Sequence, residues 1–427
     1  MKHKLLSIAF GLLINSFVLA QKDSSKKERL DFAKMYFEIG GTYLPSFTGK
    51  QLENNTITAF DHSATLNPYL TWGGFHFWGH TEFYVTFPLS QLRLNEDNGT
   101  SHELNHSVAT GVRIYPWAME ERKIRPYIGA NWGALDFRQI LEPDKNKSKL
   151  SKDFMLNYDA GVMYNYKKLA LRLGINFFTD NKWYYPVSKT QLSEIRTPRM
   201  SFQMGLLYSF DSTKDTKEEN IDKWNSYPTV SKLSYDANKF GDLFIGIGPS
   251  TSFSLSDSDY NAIQFPYLQQ KLTSTNYFDI ALGYHFNRAN LFTAISYRNP
   301  TFETEGFGSK QTIKKTSLAV EVNKFLTDYS GFAPYIGLNI AYDRFNYEQN
   351  VDGVKTQQTF TNEIEPGFTF GWDIVPGKTN EALILRTNLR WYPFSKFEID
   401  GTKFNFSQLE YNLIQVVFYP ERLKKRK

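Results

Sequence analysis

Two histidine pairs are the most direct candidates for metal chemistry in this chain. His76 and His80 are four residues apart, as are His102 and His106, so in an extended segment both members of a pair face the same side. Imidazole nitrogens placed in this way could bind zinc or copper. The first pair, however, lies near a short predicted turn and the second near a long polar connection, at opposite ends of the predicted strands. The sequence therefore favours solvated or interfacial histidines, and we expect neither a metal site nor a cofactor.

Covalent catalysis has few candidates in this sequence. The chain contains no cysteine, which excludes a cysteine nucleophile, a thiolate metal site and disulfide bonds. His106 and Ser107 form the one adjacent pair that could belong to a lipid hydrolase, but the surrounding segment 105–109 lacks the rest of such a motif. We therefore expect no enzymatic activity and keep an outer-membrane lipid hydrolase only as a remote alternative.

The third set of candidates consists of charged residues that alternate with apolar ones. When a sheet closes into a barrel whose outer face is apolar, charges on the opposite face of each strand point into the interior. Such charges must pair if the interior is narrow, whereas a wide pore leaves them solvated and lets them set its selectivity. The predicted interior charges are Glu38, Glu82, Arg113, Asp159, Arg172, Glu321, Asp343, Glu365, Arg386 and Arg390.

A framework of short β-strands must position these residues. The segment 169–177 places Leu, Leu, Leu, Ile and Phe on one face and Ala, Arg, Gly and Asn on the other, which is the period-two pattern of a strand. No run of about 18 apolar residues follows residue 20, so we expect no transmembrane helix. Sixteen strands are predicted, near 35–47, 64–73, 81–88, 104–116, 124–138, 155–166, 168–178, 199–210, 243–254, 274–286, 290–298, 313–324, 332–346, 362–373, 381–393 and 407–419.

The lengths of the connections indicate how the strands are arranged. Long polar connections alternate with short ones in the first half: the long ones lie near 48–63, 89–103, 139–154 and 179–198, and the short ones near 74–80, 117–123 and 166–168. An up-and-down barrel in an outer membrane has long loops outside and tight turns on the periplasmic side. The sequence therefore predicts an all-β fold, a transmembrane antiparallel up-and-down β-barrel.

The N-terminal segment has the features of an export signal. Lys2 and Lys4 precede the apolar run 5–13, and small residues stand before an abrupt change to polar sequence after Ala20. This pattern predicts a secretory signal peptide over 1–20, cleaved after Ala20, followed by a periplasmic arm over 21–34. Cleavage removes two lysines and no acid, so the formal net charge falls from +5 to +3. A charge so close to zero gives no reason to expect nucleic-acid binding.

The two halves of the chain resemble each other. The segment RPYIGAN at 125–131 returns as APYIGLN at 333–339, an offset of 208 residues, and further matches follow in the same order. Such self-similarity indicates an internal duplication. We predict two homologous eight-strand units, over 35–210 and 243–420, joined by a polar periplasmic connector at 211–242 and followed by a basic tail at 421–427.

Taken together, these features resemble the small outer-membrane β-barrel families of Gram-negative bacteria. The residues that carry the resemblance are the signal peptide, the PYIG-x-N segments at 126–131 and 334–339, and the terminal strand 411–419 with its aromatic end. The families include the OmpA-like barrels and the PorT-like barrels of Bacteroidota, whose members often end at the aromatic closing residue, whereas here a basic tail follows. The resemblance implies a bacterial outer-membrane protein that contacts membrane lipid and the outer-membrane assembly machinery.

Two closures are compatible with the pattern and imply different functions. One 16-stranded barrel would enclose an aqueous channel, whereas two 8-stranded barrels would each be filled by side chains. Few interior charges and abundant glycine favour two narrow barrels. The leading hypothesis is then a non-enzymatic envelope or interaction module, whose long extracellular loops contact a ligand or protein. The alternative is a porin-like channel for passive diffusion of small solutes through a single 16-stranded barrel.

Overall fold

The computed structural model describes most of the chain between residues 33 and 426. The described ranges are 33–53, 56–89, 92–93, 102–141, 146–186, 188–210, 230–231, 239–268, 271–329, 331–375 and 382–426. The predicted signal peptide, nearly all of the N-terminal arm and most of the connector lie outside these ranges. None of the helices within them is long and apolar enough to cross a membrane.

The first half of the described chain is built from antiparallel strands. They are β1 (Lys34–Leu44), β2 (Phe47–Glu53), β3 (Thr56–His62), β4 (Thr65–His76), β5 (Thr81–Pro88), β6 (Leu92–Arg93), β7 (His102–His106), β8 (Ala109–Ile114), β9 (Ile124–Leu141), β10 (Asn146–Tyr166), β11 (Leu169–Phe178), β12 (Lys182–Pro186), β13 (Leu192–Arg196) and β14 (Met200–Phe210). A 3₁₀ turn, Phe77–Gly79, connects β4 to β5.

The second half adds further strands and two short helices. The strands are β15 (Val230–Ser231), β16 (Gly241–Ser254), β17 (Tyr277–Phe286), β18 (Leu291–Arg298), β19 (Thr301–Gly306), β20 (Ser309–Phe325), β21 (Asp328–Tyr329), β22 (Phe332–Val351), β23 (Val354–Ile374), β24 (Leu383–Tyr392), β25 (Lys396–Ile399), β26 (Thr402–Asn405) and β27 (Gln408–Phe418). Helix α1 (Asp259–Gln264) follows β16, and a 3₁₀ helix (Pro420–Arg426) follows β27.

The strands close into two separate rings of eight. In the first, which we call the N ring, the order is β1, β14, β11, β10, β9, β8, β5 and β4, and β4 pairs with β1 to complete the circle. In the second, the C ring, the order is β16, β17, β18, β20, β22, β23, β24 and β27, and β27 pairs with β16. The prediction of sixteen strands in two eight-stranded units is confirmed. The alternative of one 16-stranded barrel is wrong, because each half closes through hydrogen bonds between its own first and last strands.

Both rings have a polar interior and an apolar outer surface. Along β14 the burial alternates at every residue: Ser201 and Gln203 are buried inside the ring, whereas Phe202, Met204 and Leu206 are exposed on its outer wall. The strand β20 alternates in the same way. This inside-out arrangement follows directly from the period-two pattern of the sequence.

The connections at one end of the rings contain more regular structure than the sequence indicated. The predicted long connection 139–154 is wrong for most of its length, because β9 and β10 continue as a hairpin to residues 141 and 146. The predicted connections 48–63 and 179–198 contain the hairpins β2–β3 and β12–β13, which join in a four-stranded sheet. Their apolar residues, such as Phe47, Phe60 and Ile195, do not alternate with polar ones over the length of a ring strand.

The two rings pack directly against each other. Phe83 of the N ring stacks on Phe332 of the C ring with ring centroids 5.5 Å apart, and Trp372 lies 5.1 Å from Phe83. Nearer the other end of the contact, the hydroxyls of Thr110 and Tyr411 share a hydrogen bond of 3.0 Å. Aromatic side chains on the facing outer walls therefore bury each other between the N ring and the C ring.

Candidate functional site

A chain of five alternating charges crosses the interior of the N ring. Arg172 donates from Nη1 to Glu38 Oε2 at 2.5 Å and from Nη2 to both Glu82 oxygens at 2.8 and 2.9 Å. Arg113 donates from Nη1 to Glu82 at 2.9 Å and from Nε to Asp159 Oδ2 at 2.5 Å. These five residues, from five strands, form what we call the N cluster, and none is more than 4% exposed. Each buried charge is thus paired, as a narrow interior requires.

Tyrosine hydroxyls complete the shell around the N cluster. Tyr36 and Tyr115 both donate to Glu82, the latter at 2.5 Å, and Tyr69 donates to Glu38 Oε1 at 3.0 Å. The close packing leaves room for no side chain at some facing positions. A Cβ atom at Gly205, for example, would collide with the Glu38 carboxylate. Glycine at this position is therefore a steric requirement of the cluster.

The C ring holds a denser network around one buried lysine. Lys315 Nζ lies 2.6 Å from Asp343 Oδ2, 3.1 Å from Glu410 Oε1 and 3.7 Å from Glu365 Oε2. Arg298 forms a second ion pair with Glu410. We call these five residues the C cluster. A single ammonium group thus faces three carboxylates in a site from which water is largely excluded.

Two arginines of β24, Arg386 and Arg390, continue the network with three further ion pairs. Arg390 donates to Asp279 Oδ2 at 2.5 Å and to Glu321 Oε1 at 2.7 Å. Arg386 binds Asp373 with two hydrogen bonds of 2.7 and 2.8 Å, the fork geometry that guanidinium groups form with carboxylates. These pairs fix the facing strands β17, β20 and β23 against β24.

The structure places every predicted interior charge inside a ring and in an ion pair. In the N ring these side chains all meet in one cluster, whereas in the C ring they divide between the C cluster and the pairs along β24. Each of the ten predicted residues takes part in a buried ion pair. They are Glu38, Glu82, Arg113, Asp159, Arg172, Glu321, Asp343, Glu365, Arg386 and Arg390.

Several partners in these networks were not among the predicted residues. They include Lys315, Arg298, Glu410 and Asp373. The signal that could have found Lys315 is its phase, since it lies six residues before Glu321 on the same strand and therefore on the same face. The same argument applies to Asp373, which is eight residues after Glu365 on β23.

The histidine pairs do not come together in one site. His76 is buried where the N ring contacts the C ring, and its imidazole centroid lies 5.7 Å from the centroid of the Phe332 side chain. His80 Nδ1 lies 3.0 Å from the Tyr115 carbonyl oxygen. The second pair belongs to β7 (His102–His106), on a different part of the N ring. Across the ranges that the structure describes, no group of three or more His, Asp or Glu residues could hold a metal ion.

Above the N cluster the N ring contains a polar cavity. Its volume is about 110 Å³, and it opens at the end of the ring that carries the long connections. Glu38 and Arg113 of the N cluster reach its floor. Its walls include the hydroxyl and carboxamide groups of Thr42, Asn67, Thr71, Thr86, Ser107, Asn131, Asn157, Asn176, Ser201 and Gln203, the imidazole of His106, and the aromatic rings of Tyr69, Tyr84 and Phe178.

The corresponding end of the C ring is closed by an aromatic cap. Phe345 on β22 stacks on Phe397 of β25 with centroids 5.1 Å apart, and Phe397 stacks on Phe404 of β26 at 4.7 Å. Helix α1, which begins after the N-cap Ser258, contributes Tyr260 to the same cluster. The buried members of the cap are Tyr260, Leu272, Phe302, Ile313, Phe345, Tyr347, Phe397, Ile399, Phe404 and Phe406.

The opposite end of the C ring is occupied by the C-terminal 3₁₀ helix. Arg422 lies with its guanidinium carbon 3.5 Å from the centre of the Tyr419 ring and donates from Nε to Asp242 Oδ2 at 3.1 Å. Its Nη2 lies 3.1 Å from His285 Nδ1. The first part of the predicted basic tail is therefore packed against the ring, and only its last residue, Lys427, lies outside the described residues.

Comparison with known proteins found likenesses of structure alone. No protein-family model matches the chain, and no curated protein does. Among solved structures, the Neisserial surface protein NspA is 14% identical to this chain. The match covers 42% of this chain and 96% of NspA, with a TM-score of 0.30. Ail of Yersinia pestis, solved with the heparin analogue sucrose octasulfate, is 12% identical, with coverages of 42% and 99% and a TM-score of 0.26. An outer membrane channel of Pseudomonas putida F1 is 10% identical, with coverages of 90% and 95% and a TM-score of 0.18.

Proposed function

We propose that this protein is a non-enzymatic outer-membrane anchor that presents an extracellular surface to a ligand or protein partner and does not conduct solutes. Its outer walls support the membrane location. Large apolar side chains such as Ile39, Leu173, Leu206, Ile280 and Val320 are between 45% and 60% exposed there. Soluble proteins rarely expose a continuous apolar surface, whereas a lipid-facing barrel wall consists of one.

The observation that carries the absence of conduction is the pairing of charges inside both rings. In a water-filled pore, lining charges are solvated and face an open path. Here the N cluster spans the interior of the N ring and the C cluster that of the C ring. Within each cluster the charged side chains pair with one another and are nearly fully buried. The aromatic cap covers the C ring as well. Two narrow, filled barrels are suited to anchoring a surface and unsuited to diffusion.

Conductance of the folded protein tests this proposal. The mature protein is refolded, its barrel state is verified by heat-modifiability on a gel, and single-channel current is recorded in a planar lipid bilayer. We expect no stable conductance steps. Large and reproducible steps from verified folded protein would overturn the proposal and would favour a pore.

The orientation in the membrane can be tested because the chain has no cysteine. We propose that the β22–β23 hairpin faces the outside and the tight β10–β11 turn the periplasm. Lys355→Cys in the hairpin and Lys168→Cys in the turn are both at exposed positions. A membrane-impermeant maleimide should label the first variant on intact cells and the second only after permeabilisation. The reverse result would contradict the proposed orientation, and the unmodified protein serves as the blank.

A further inference from the structure

We propose that the polar cavity of the N ring is a binding site for a small neutral saccharide or related polyol. This inference goes beyond the proposed function, because it assigns a ligand to the interior of one ring. It holds whether or not the outer surface also binds a partner. The cavity has a volume of about 110 Å³ and opens at the end of the ring, so its ligand must be small.

Five carboxamides from five different strands converge on this cavity. They are Asn67, Asn131, Asn157, Asn176 and Gln203. A carboxamide has two N–H donors and an oxygen with two acceptor sites, so each can make several hydrogen bonds. Adjacent donors and acceptors of this kind complement the hydroxyl groups of a sugar, each of which also donates and accepts.

The carboxamides use little of this capacity on one another. Asn157 Nδ2 donates to Asn131 Oδ1 at 3.4 Å, and Asn176 Nδ2 donates to a serine hydroxyl at 3.3 Å. Gln203 Nε2 donates to Tyr127 at 2.9 Å. The first two bonds are longer than the 2.7–3.2 Å usual for N–H···O hydrogen bonds. A ligand in the cavity can therefore bind them without breaking strong contacts.

Two deeply buried residues that line the cavity retain an unused polar atom. Tyr84 is 5% exposed and Asn157 is 8% exposed. Within the described part of the chain, neither the Tyr84 hydroxyl nor Asn157 Oδ1 has a hydrogen-bond partner. A buried polar atom without a partner costs free energy, and both atoms belong to side chains that line the cavity.

The charges at the cavity floor favour a neutral ligand. Glu38 is bonded to Arg172, and Arg113 is bonded to Asp159 and Glu82. Both floor charges are therefore already paired with partners in the N cluster. A charged ligand would lose its hydration and gain no free counter-charge in return. Tyr69 and Phe178 add aromatic surface for the apolar faces of a sugar ring.

Titration of the full mature protein with N-acetylglucosamine tests the proposal. The protein is kept in lauryldimethylamine oxide, since detergents with sugar headgroups would compete, and binding is followed by saturation-transfer NMR and calorimetry. Glucosamine and glucuronic acid serve as cationic and anionic probes of nearly the same size. We expect saturable binding of the neutral sugar, at least tenfold tighter than that of either charged one.

Two variants assign the binding to the cavity. Thr42→Trp places an indole in the cavity and Asn157→Leu removes a central carboxamide, so each should weaken binding at least tenfold. Asn362→Leu, at an exposed position on β23, is the matched control and should bind as the unmodified protein does. Heat-modifiability verifies that each variant is folded.

Three results would overturn the proposal. The first is the absence of neutral-sugar binding to folded protein, the second is equal or tighter binding of a charged sugar, and the third is unchanged binding by folded Thr42→Trp. None of these outcomes bears on the conductance and labelling experiments, so the proposed function stands or falls separately.

Discussion

The N ring and the C ring have the same strand plan but different interiors. When the ring strands are counted along the chain, the segment 127–131 and its counterpart 335–339 lie on the fifth strand of each ring, and Arg172 and Arg386 lie on the seventh. Yet the long-connection end of the N ring is an open polar cavity, whereas that of the C ring is filled by the aromatic cap. One framework can therefore support a binding cavity or a rigid plug, depending on the residues at the end of the strands.

The buried charges of the two rings also differ in balance. Among the described buried residues, the N ring has three carboxylates and three arginines, whereas the C ring has seven carboxylates and five cations. With this surplus of acids, Lys315 faces three carboxylates and Arg390 faces two. Loss of a cation should therefore be more damaging in the C ring than in the N ring.

The largest effect is expected for Lys315→Met. This substitution leaves Asp343 and Glu365 without their cation under the aromatic cap, where water cannot replace it. We expect a loss of about 4–5 kcal/mol in the free energy of unfolding, at the upper end for a broken buried ion pair. Urea unfolding in lipid vesicles, followed by tryptophan fluorescence, measures it. Lys355→Met at an exposed position is the control, and a Lys315→Met loss as small as the control's would refute the argument.

Removal of an aromatic ring from the cap should cost nearly as much. Phe345 is 1% exposed and contacts both Phe397 and Phe406, with ring centroids 5.1 and 5.9 Å away. Phe345→Ala leaves a cavity in a packed cluster, and we expect a loss of about 3–4 kcal/mol in the free energy of unfolding. Phe360→Ala, at an exposed position on β23, is the matched control. Equal losses for the two variants would show that the cap does not stabilise the C ring.

A smaller effect is expected for Arg172→Met in the N ring. The substitution removes a cation from Glu38 and Glu82, but Glu82 keeps Arg113 and Glu38 keeps the hydrogen bond from Tyr69. We expect a loss of about 3 kcal/mol in the free energy of unfolding, at the lower end for a buried pair. A loss larger than that of Lys315→Met in the same urea experiment would reverse the proposed difference between the rings.

The sequence pattern was sufficient to locate the strands of the two rings, but it favoured their closure into two rings without deciding it. Alternation identifies Arg172 and Glu321 as interior residues because the phase of a strand is a local property. The choice between one ring and two depends on whether β14 pairs with β1 or with β16, a contact between distant segments that alternation does not encode. For the same reason Lys315 could be placed on an interior face, whereas its three carboxylate partners follow only from the closed C ring.

The cap and the cavity were beyond sequence reasoning for a different physical reason. The hairpin β25–β26 has only four residues in each strand, too few to show a period. Its Phe397 and Phe404 therefore have no signature that separates them from aromatic residues on the outer wall. The cavity exists because no side chains fill the space above Asn131 and Asn157. A local sequence pattern does not indicate such an unfilled space.

The contact between the rings should show the smallest effect. The hydroxyl groups of Tyr411 and Thr110 share a hydrogen bond across this contact. The aromatic centroid of Tyr411 lies 6.0 Å from that of Trp132. Tyr411→Phe removes the hydroxyl and keeps the ring, so we expect a loss of about 1 kcal/mol in the free energy of unfolding. Tyr208→Phe, on the exposed outer wall of β14, controls for the loss of a tyrosine hydroxyl. If aromatic packing holds the rings together, Tyr411→Phe should leave a single unfolding transition. Two separate transitions would instead show that this hydrogen bond couples the rings.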